Sequence, residues 1–289
     1  RLQQIDFSAV TATGSGFTLK VGTDSSHAFA ISRTVFQAPL YDALKYFYHN
    51  RSGMVIAPQF TGGGRTSFAS HSRWARAAGH VNRGENKGDD NVPCWTGTCA
   101  YTLDVSKGWY DAGDHGKYVV NGGISVWTLL NMVERGLYWG SSTRLGDGTL
   151  NIPESTNGVP DILDEARWAL SFYLDNQRAD GAVPLGRGND EDAIRDWERA
   201  HGSRPPFGIF PPTAPSSLEF AAVAAQYARL IKPYDLCTAT SHLAAAARAF
   251  AWAGDHANEG GERAAMETPP FRAWAAAELF RNTGADKYN

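Results

Sequence analysis

Apolar and polar positions alternate near the start of the chain and then shift to a helical period. Ile5, Phe7 and Val10 nearly alternate, Phe17, Leu19 and Val21 alternate cleanly, and Phe29 and Ile31 follow. Turn chemistry separates them at Gly14-Ser15-Gly16 and at Gly22-Thr23-Asp24-Ser25-Ser26. Residues 5–31 are therefore expected as strands. Three short strands bury no core of their own, so they read as the tail of a β-sandwich.

From Pro39 the apolar residues recur at helical spacing. Leu40, Leu44, Phe47 and Tyr48 line a first helix. Ile124, Trp127, Leu130, Val133 and Leu137 form the stripe of a second, from about Val119 to Leu137. A third starts at Pro160, proline being favoured at a first helical position, and carries Leu163, Ala166, Leu170 and Leu174. A fourth follows Ser216-Ser217 with Phe220, Val223, Ala224, Tyr227 and Ile231; a fifth carries Leu243, Ala246, Ala247 and Phe250. A sixth is expected to open at Pro269-Pro270, to carry Phe271, Ala275, Glu278 and Leu279, and to stop at Gly284. The fold class is mainly α, with about six helices.

Two irregular stretches interrupt this pattern, residues 51–116 and 178–215, both rich in polar residues. Long loops on a helical scaffold commonly carry function, which fits an enzyme better than a plain bundle.

The formal charge of −3 over 289 residues, with no basic run, argues against a nucleic-acid partner. No stretch of about 18 apolar residues spans a membrane. Nine Trp and eleven Tyr are many for a core of this size. They suit either an aromatic-rich interior or a cleft that stacks on the flat faces of sugars. Of the three cysteines, Cys94 and Cys99 lie in the short turn-rich segment P-C-W-T-G-T-C. A disulfide and two unpaired thiols are both open there, and Cys237 is left over, expected as a buried thiol. The chain starts at Arg1 without an apolar leader, so export would require a signal upstream or already removed.

The densest chemistry is G-W-Y-D-A-G-D-H-G-K-Y, residues 108–118. Asp111 and Asp114 stand on glycine-bracketed backbone just before a helix, whose N-terminal dipole favours negative charge. Two ionised carboxylates there are able to hold and deprotonate a water, as the base of an inverting glycosidase must. The same spacing suits helix caps and turns, and D-x-x-D-H also offers Asp111, Asp114 and His115 as metal ligands without a second paired motif.

The run G-W-Y-D-A-G-D-H-G-K-Y-V-V-N-G-G closely resembles the signature of glycoside hydrolase family 9. Residues 158–168, G-V-P-D-I-L-D-E-A-R-W, match the family's next landmark. F-P-P-T-A-P-S-S-L-E-F-A-A-V-A-A-Q-Y-A-R and A-W-A-A-A-E-L-F-R-N-T-G follow in family order. N-V-P-C-W, followed by L-D-V-S-K-G-W-Y-D, is similar to the subgroup carrying an immunoglobulin-like domain ahead of the catalytic one. The resemblance implies residues 1–32 as the last strands of that β-sandwich. It implies residues 33–289 as the N-terminal half of an (α/α)6 toroid.

The resemblance further implies a secreted cellulase, of endoglucanase or cellobiohydrolase type, that cleaves β-1,4-glucosidic bonds with inversion. Asp114 would be the general base and Asp111 would hold the attacking water. Trp109 and Tyr110, with Trp95 and Trp197 further off, are candidates for sugar stacking. The acid, a Glu, is expected beyond Asn289, about 6.5–9.5 Å from the base in the folded site. Within this chain Glu154, Glu165 and Glu219 are the first alternatives. No cofactor is required. Structural calcium accompanies the family, with no ligand set legible here. A β-glucan is the expected partner, together with further domains or the rest of the toroid.

Two departures stand out. A complete toroid has twelve helices, against about six here. Family members also carry a His pair after the position of Gln177, where this chain reads A-D-G-A-V-P-L-G-R-G-N-D. That leaves an exo-glucosaminidase, or a sugar-binding protein without catalysis, as further readings.

Overall fold

The computed structural model describes residues 4–81, 88–94, 99–112, 115–188, 208–258 and 261–289. The N-terminal segment forms two nested antiparallel pairs. Strands β1 (Gly14–Phe17) and β4 (Phe29–Ile31) pair with Phe17 opposite Phe29. Between them β2 (Lys20–Val21) and β3 (Asp24–Ser25) form a hairpin that turns at Gly22. No strand forms over Ile5, Phe7 and Val10, which all stay exposed. Phe7 meets Phe29, with the ring centroids 5.7 Å apart.

Six α-helices lie among the described residues: α1 (Gln37–His49), α2 (Val119–Tyr138), α3 (Asp161–Asn176), α4 (Ala214–Ile231), α5 (Leu236–Asp255) and α6 (Gly261–Thr283). Helix α4 is the centre. Every residue in it except Arg229 is buried, and it packs against α2, α3, α5 and α6. Its sequence explains this, because small apolar residues occupy all its faces and let neighbours approach from every side. Thr213 caps it: its hydroxyl accepts the Ser216 N–H at 3.2 Å, and Ser216 returns a bond to the Thr213 backbone. The helix thus begins before Ser216-Ser217. At α5 the Asp235 carboxylate accepts the Thr238 N–H at 2.9 Å.

Three expectations are corrected. Pro160 is the N-cap of α3 and not its first helical residue. Helix α6 begins at Gly261, so Pro269 and Pro270 lie within it. Proline is costly in a helix interior, yet the packing of α6 along α4 carries the helix through the pair. On α2 the stripe is shifted: Leu130 and Val133 are buried as expected, but Ile124, Trp127 and Leu137 are exposed. The buried face runs through Gly123 and Gly136, which carry no hydrophobic signal. The displaced Ile124 and Trp127 join Pro270, Phe271 and Trp274 in an apolar groove between α2 and α6.

The long stretch between α1 and α2 is pinned at several points. Strand β5 (Val92–Pro93) pairs with β6 (Thr102–Leu103). Strand β7 (Lys117–Tyr118) pairs with β8 (Gly186–Gly188), and β8 with β9 (Gly208–Ile209). Cys94 and Cys99 form a disulfide with their Cα atoms 5.6 Å apart. Cys237 is a free thiol but is exposed, next to the exposed Leu236 at the start of α5. No helix among the described residues is long and apolar enough to cross a membrane.

Candidate active site

The segment 109–111 enters the site beyond a bend at Gly108, with Trp109 bridged to Arg51. Ser52 N–H donates to the Gly108 carbonyl at 2.8 Å, and Tyr110 N–H donates to the Asn50 carbonyl at 2.9 Å. Gly108 has φ +72°, and a Cβ there would sit 2.8 Å from Cβ of Phe172, so both conformation and space demand glycine. The chain then turns. Asp111 N–H donates to the Gly116 carbonyl at 2.8 Å and closes the loop that carries the second aspartate. Asp114 itself lies outside the described residues, as do Trp95 and Trp197.

Trp109, Tyr110 and Asp111 line one cavity of about 110 Å³, together with Phe47, Asn121 and Tyr173. Asp111 is exposed at its mouth. The Asn121 side-chain amide, in the first turn of α2, donates to both Asp111 carboxylate oxygens, at 3.1 and 3.2 Å. This fixes the carboxylate plane at the N-terminus of α2, where the helix dipole favours its charge. Trp109 is held by its ring and its nitrogen. The ring lies 4.7 Å from Phe47, and the indole N–H donates to Glu165 Oε1 at 2.8 Å. The Tyr110 hydroxyl hydrogen-bonds His80 Nδ1 at 2.7 Å. Burial pulls the His80 imidazole down to about 4, with Arg187 acting in the same direction.

Two buried ionic groups stand behind these side chains. Arg51, with no exposed surface, donates from Nε and Nη2 to Glu165, the latter at 2.9 Å, and from Nη1 to Glu154 at 2.8 Å. Burial alone would lower the Arg51 pKa; Glu165 and Glu154 outweigh it and raise it. The second group centres on Asp89. Its carboxylate takes Lys117 Nζ at 2.7 Å and Arg187 Nη2, while Arg187 Nη1 donates to the His115 carbonyl at 2.6 Å. Burial brings the Lys117 ammonium down to about 8 against the opposing pull of Asp89. Arg187 thereby ties the loop after α3 to the loop that begins at Asp111.

These contacts set the three alternative acids apart from one another. Glu165 and Glu154 are bound to Arg51 and serve as anchors. Glu219 differs: it is 1% exposed, and its Oε2 has no hydrogen-bond partner among the described residues. Burial, with Glu267 adding to it, pushes its carboxyl up to about 9. His115 has φ +58°, and its ring lies tilted against that of Tyr110 with centroids 5.0 Å apart. A metal set of Asp111, Asp114 and His115 falls partly outside the described residues. Among the described residues no three His, Cys, Asp or Glu side chains gather in a group that could hold a metal ion.

Asn121, Arg51, Asp89 and Tyr173 were not singled out from the sequence. Asn121 does stand inside the run that ends V-V-N-G-G, and Glu165 inside D-I-L-D-E-A-R-W.

The model of Glycosyl hydrolase family 9 matches residues 36–289. The chain belongs to that family. Among relatives, Endoglucanase C of Cellulomonas fimi is 40% identical over 319 aligned residues, which take in 98% of this chain and 27% of that protein. A cellulose 1,4-beta-cellobiosidase of Acetivibrio thermocellus is 39% identical over 317 residues, 98% of this chain and 34% of that protein. A solved family 9 structure from Bacteroides ovatus superposes with a TM-score of 0.77 at 29% identity, covering 98% of this chain and 52% of that one. The chain thus spans about half the length of that solved family 9 structure and about a third or less of those two proteins. Its mainly α architecture is that of the family, consistent with part of an (α/α)6 toroid.

Proposed function

We propose that the protein containing this chain hydrolyses β-1,4-glucosidic bonds in cellulose or a related β-glucan, with inversion, outside the cell. Family membership over residues 36–289 supports this reading, and the observation that carries it is Asp111 held by Asn121 at the mouth of an aromatic-walled cavity. In this reading Asp114 is the general base, Asp111 holds the attacking water, and Trp109 and Tyr110 face the sugar. The proton for the leaving oxygen comes from a Glu beyond Asn289, since inversion needs an acid and a base on opposite sides of the ring. The Cys94–Cys99 disulfide suits an exported protein, and residues 1–32 are read as the end of an immunoglobulin-like domain.

The relatives' names include a xyloglucan-specific endo-beta-1,4-glucanase, so decorated glucans belong in the substrate panel. A second reading, an exo-glucosaminidase, follows from the loop after Gln177. In that loop Arg187 turns into the protein toward Asp89. The test is turnover by the full-length protein of cello-, xyloglucan and chitosan oligosaccharides, with the released anomer read by NMR. Asp114→Asn is expected to lower turnover about 10²–10⁴-fold. Activity within a few-fold of the parent would remove Asp114 from the role of base.

A further inference from the structure

Tyr173, on α3, forms part of the cavity floor beside Asp111 and is only 2% exposed. Its ring is fixed edge-on against Phe172 at 5.5 Å and Phe220 at 6.3 Å. The hydroxyl reaches across α2 at Gly122, where any Cβ would collide with the Tyr173 oxygen. At the next residue a Cβ on Gly123 would sit 2.7 Å from Oε1 of Glu219. Two adjacent glycines weaken a helix interior, so this pair has a use: it lets two polar groups cross the face of α2. Asp161 and Lys45, buried elsewhere, are met by hydrogen bonds, whereas the Tyr173 hydroxyl makes none among the described residues and, unlike the hydroxyls of Tyr48 and Tyr227, is open to the cavity that it lines. Burial, with Glu219 and then Asp111 adding to it, holds the Tyr173 proton well above its ordinary range, so the group remains a donor.

A hydroxyl that opens onto a cavity without a protein partner is met by water, and a ligand oxygen seated there takes the water's place. We infer that Tyr173 is a substrate-contact residue whose hydroxyl donates to an oxygen of the sugar seated beside Asp111 and Asn121. Gly122 is small so that this hydroxyl reaches the cavity. The inference rests on the reading of the cavity as a glucan site. It also assigns a selectivity: a site built to hydrogen-bond one sugar oxygen rejects the sugar that lacks it.

The test is isothermal titration of the full-length protein with cellobiose and with its monodeoxy analogues, alongside thermal melting. Tyr173→Phe removes only the unpartnered oxygen. It is expected to keep the melting temperature and to weaken cellobiose binding about 5- to 10-fold, the worth of one neutral hydrogen bond. One deoxy analogue should bind Tyr173→Phe as well as cellobiose does, while binding the parent less well. Gly122→Ala, which displaces the hydroxyl, should weaken cellobiose to a similar degree. Equal cellobiose affinity for parent and Tyr173→Phe overturns this inference and leaves the proposed function standing. A marked fall in melting temperature for Tyr173→Phe also overturns it, because the hydroxyl would then have a partner within the protein. A parent that binds and cleaves no cello-oligosaccharide overturns the proposed function, and the inference with it.

Discussion

The indole of Trp109 donates to Glu165, 56 residues away, and the same carboxylate receives Arg51 from a third part of the chain. One buried carboxylate thus joins the aromatic wall of the cavity to α3 and to the end of α1. Arg51→Met should therefore do more than remove an ion pair. It leaves Glu165, 1% exposed, without its cation, and breaking a buried pair in this way costs about 3–5 kcal/mol. The denaturant midpoint of the variant measures it. A midpoint equal to the parent's would mean that Glu165 is satisfied without Arg51.

Asn121 separates positioning from folding. Both it and Asp111 are exposed, so Asn121→Ala should change stability by no more than about 0.5 kcal/mol. Turnover by the full-length protein should fall about 10- to 100-fold, because the Asp111 carboxylate loses the group that sets its plane. Stopped assays on a soluble cello-oligosaccharide measure this. Unchanged turnover would show that Asp111 is oriented by its loop alone.

Much of this cavity was legible in the sequence, and the reason is local. Trp109, Tyr110 and Asp111 sit in one contiguous run, and they do line the cavity together. The groups that hold them were not legible, because their partners are remote: Arg51 meets Glu165 across 114 positions and Asp89 meets Arg187 across 98. No period or spacing marks such a pair. The helices were found from their apolar period, yet the face of α2 was misplaced because Gly123 and Gly136 point inward without apolar side chains. The start of α6 was misplaced for the opposite reason. A local rule about proline was applied where packing overrides it.

Glu219 predicts a pH dependence. Its carboxyl is raised from 4.5 to about 9 by burial and by Glu267. The folded state then binds a proton more tightly than the unfolded one, so the stabilisation is complete below about 4.5 and is lost as pH rises through about 9. Glu219→Gln has no such slope. Its melting temperature relative to the parent should be higher at pH 8 than at pH 5, as read by calorimetry at the two values. Parallel profiles for the two proteins would show that Glu219 ionises freely in the fold.

The thiols give a chemical count. Alkylation of the folded protein without reductant should label one site, Cys237, which is exposed, and unfolding with reductant should raise the number to three. Intact mass reads both states. Three labels without reductant would exclude the Cys94–Cys99 bond.

The long reach of these anchors bears on the order in which the molecule assembles. Contacts between distant positions pay the entropy of closing a long loop before they return anything. A chain growing from its N-terminus exposes Trp109, Tyr110 and Asp111 before Glu165 and Arg187 have been made. Until α3 and the strand after it arrive, Arg51 has Glu154 but not Glu165, and Asp89 has Lys117 but not Arg187, so each anchor is half made. The run of residues richest in chemistry is synthesised early and becomes a site late.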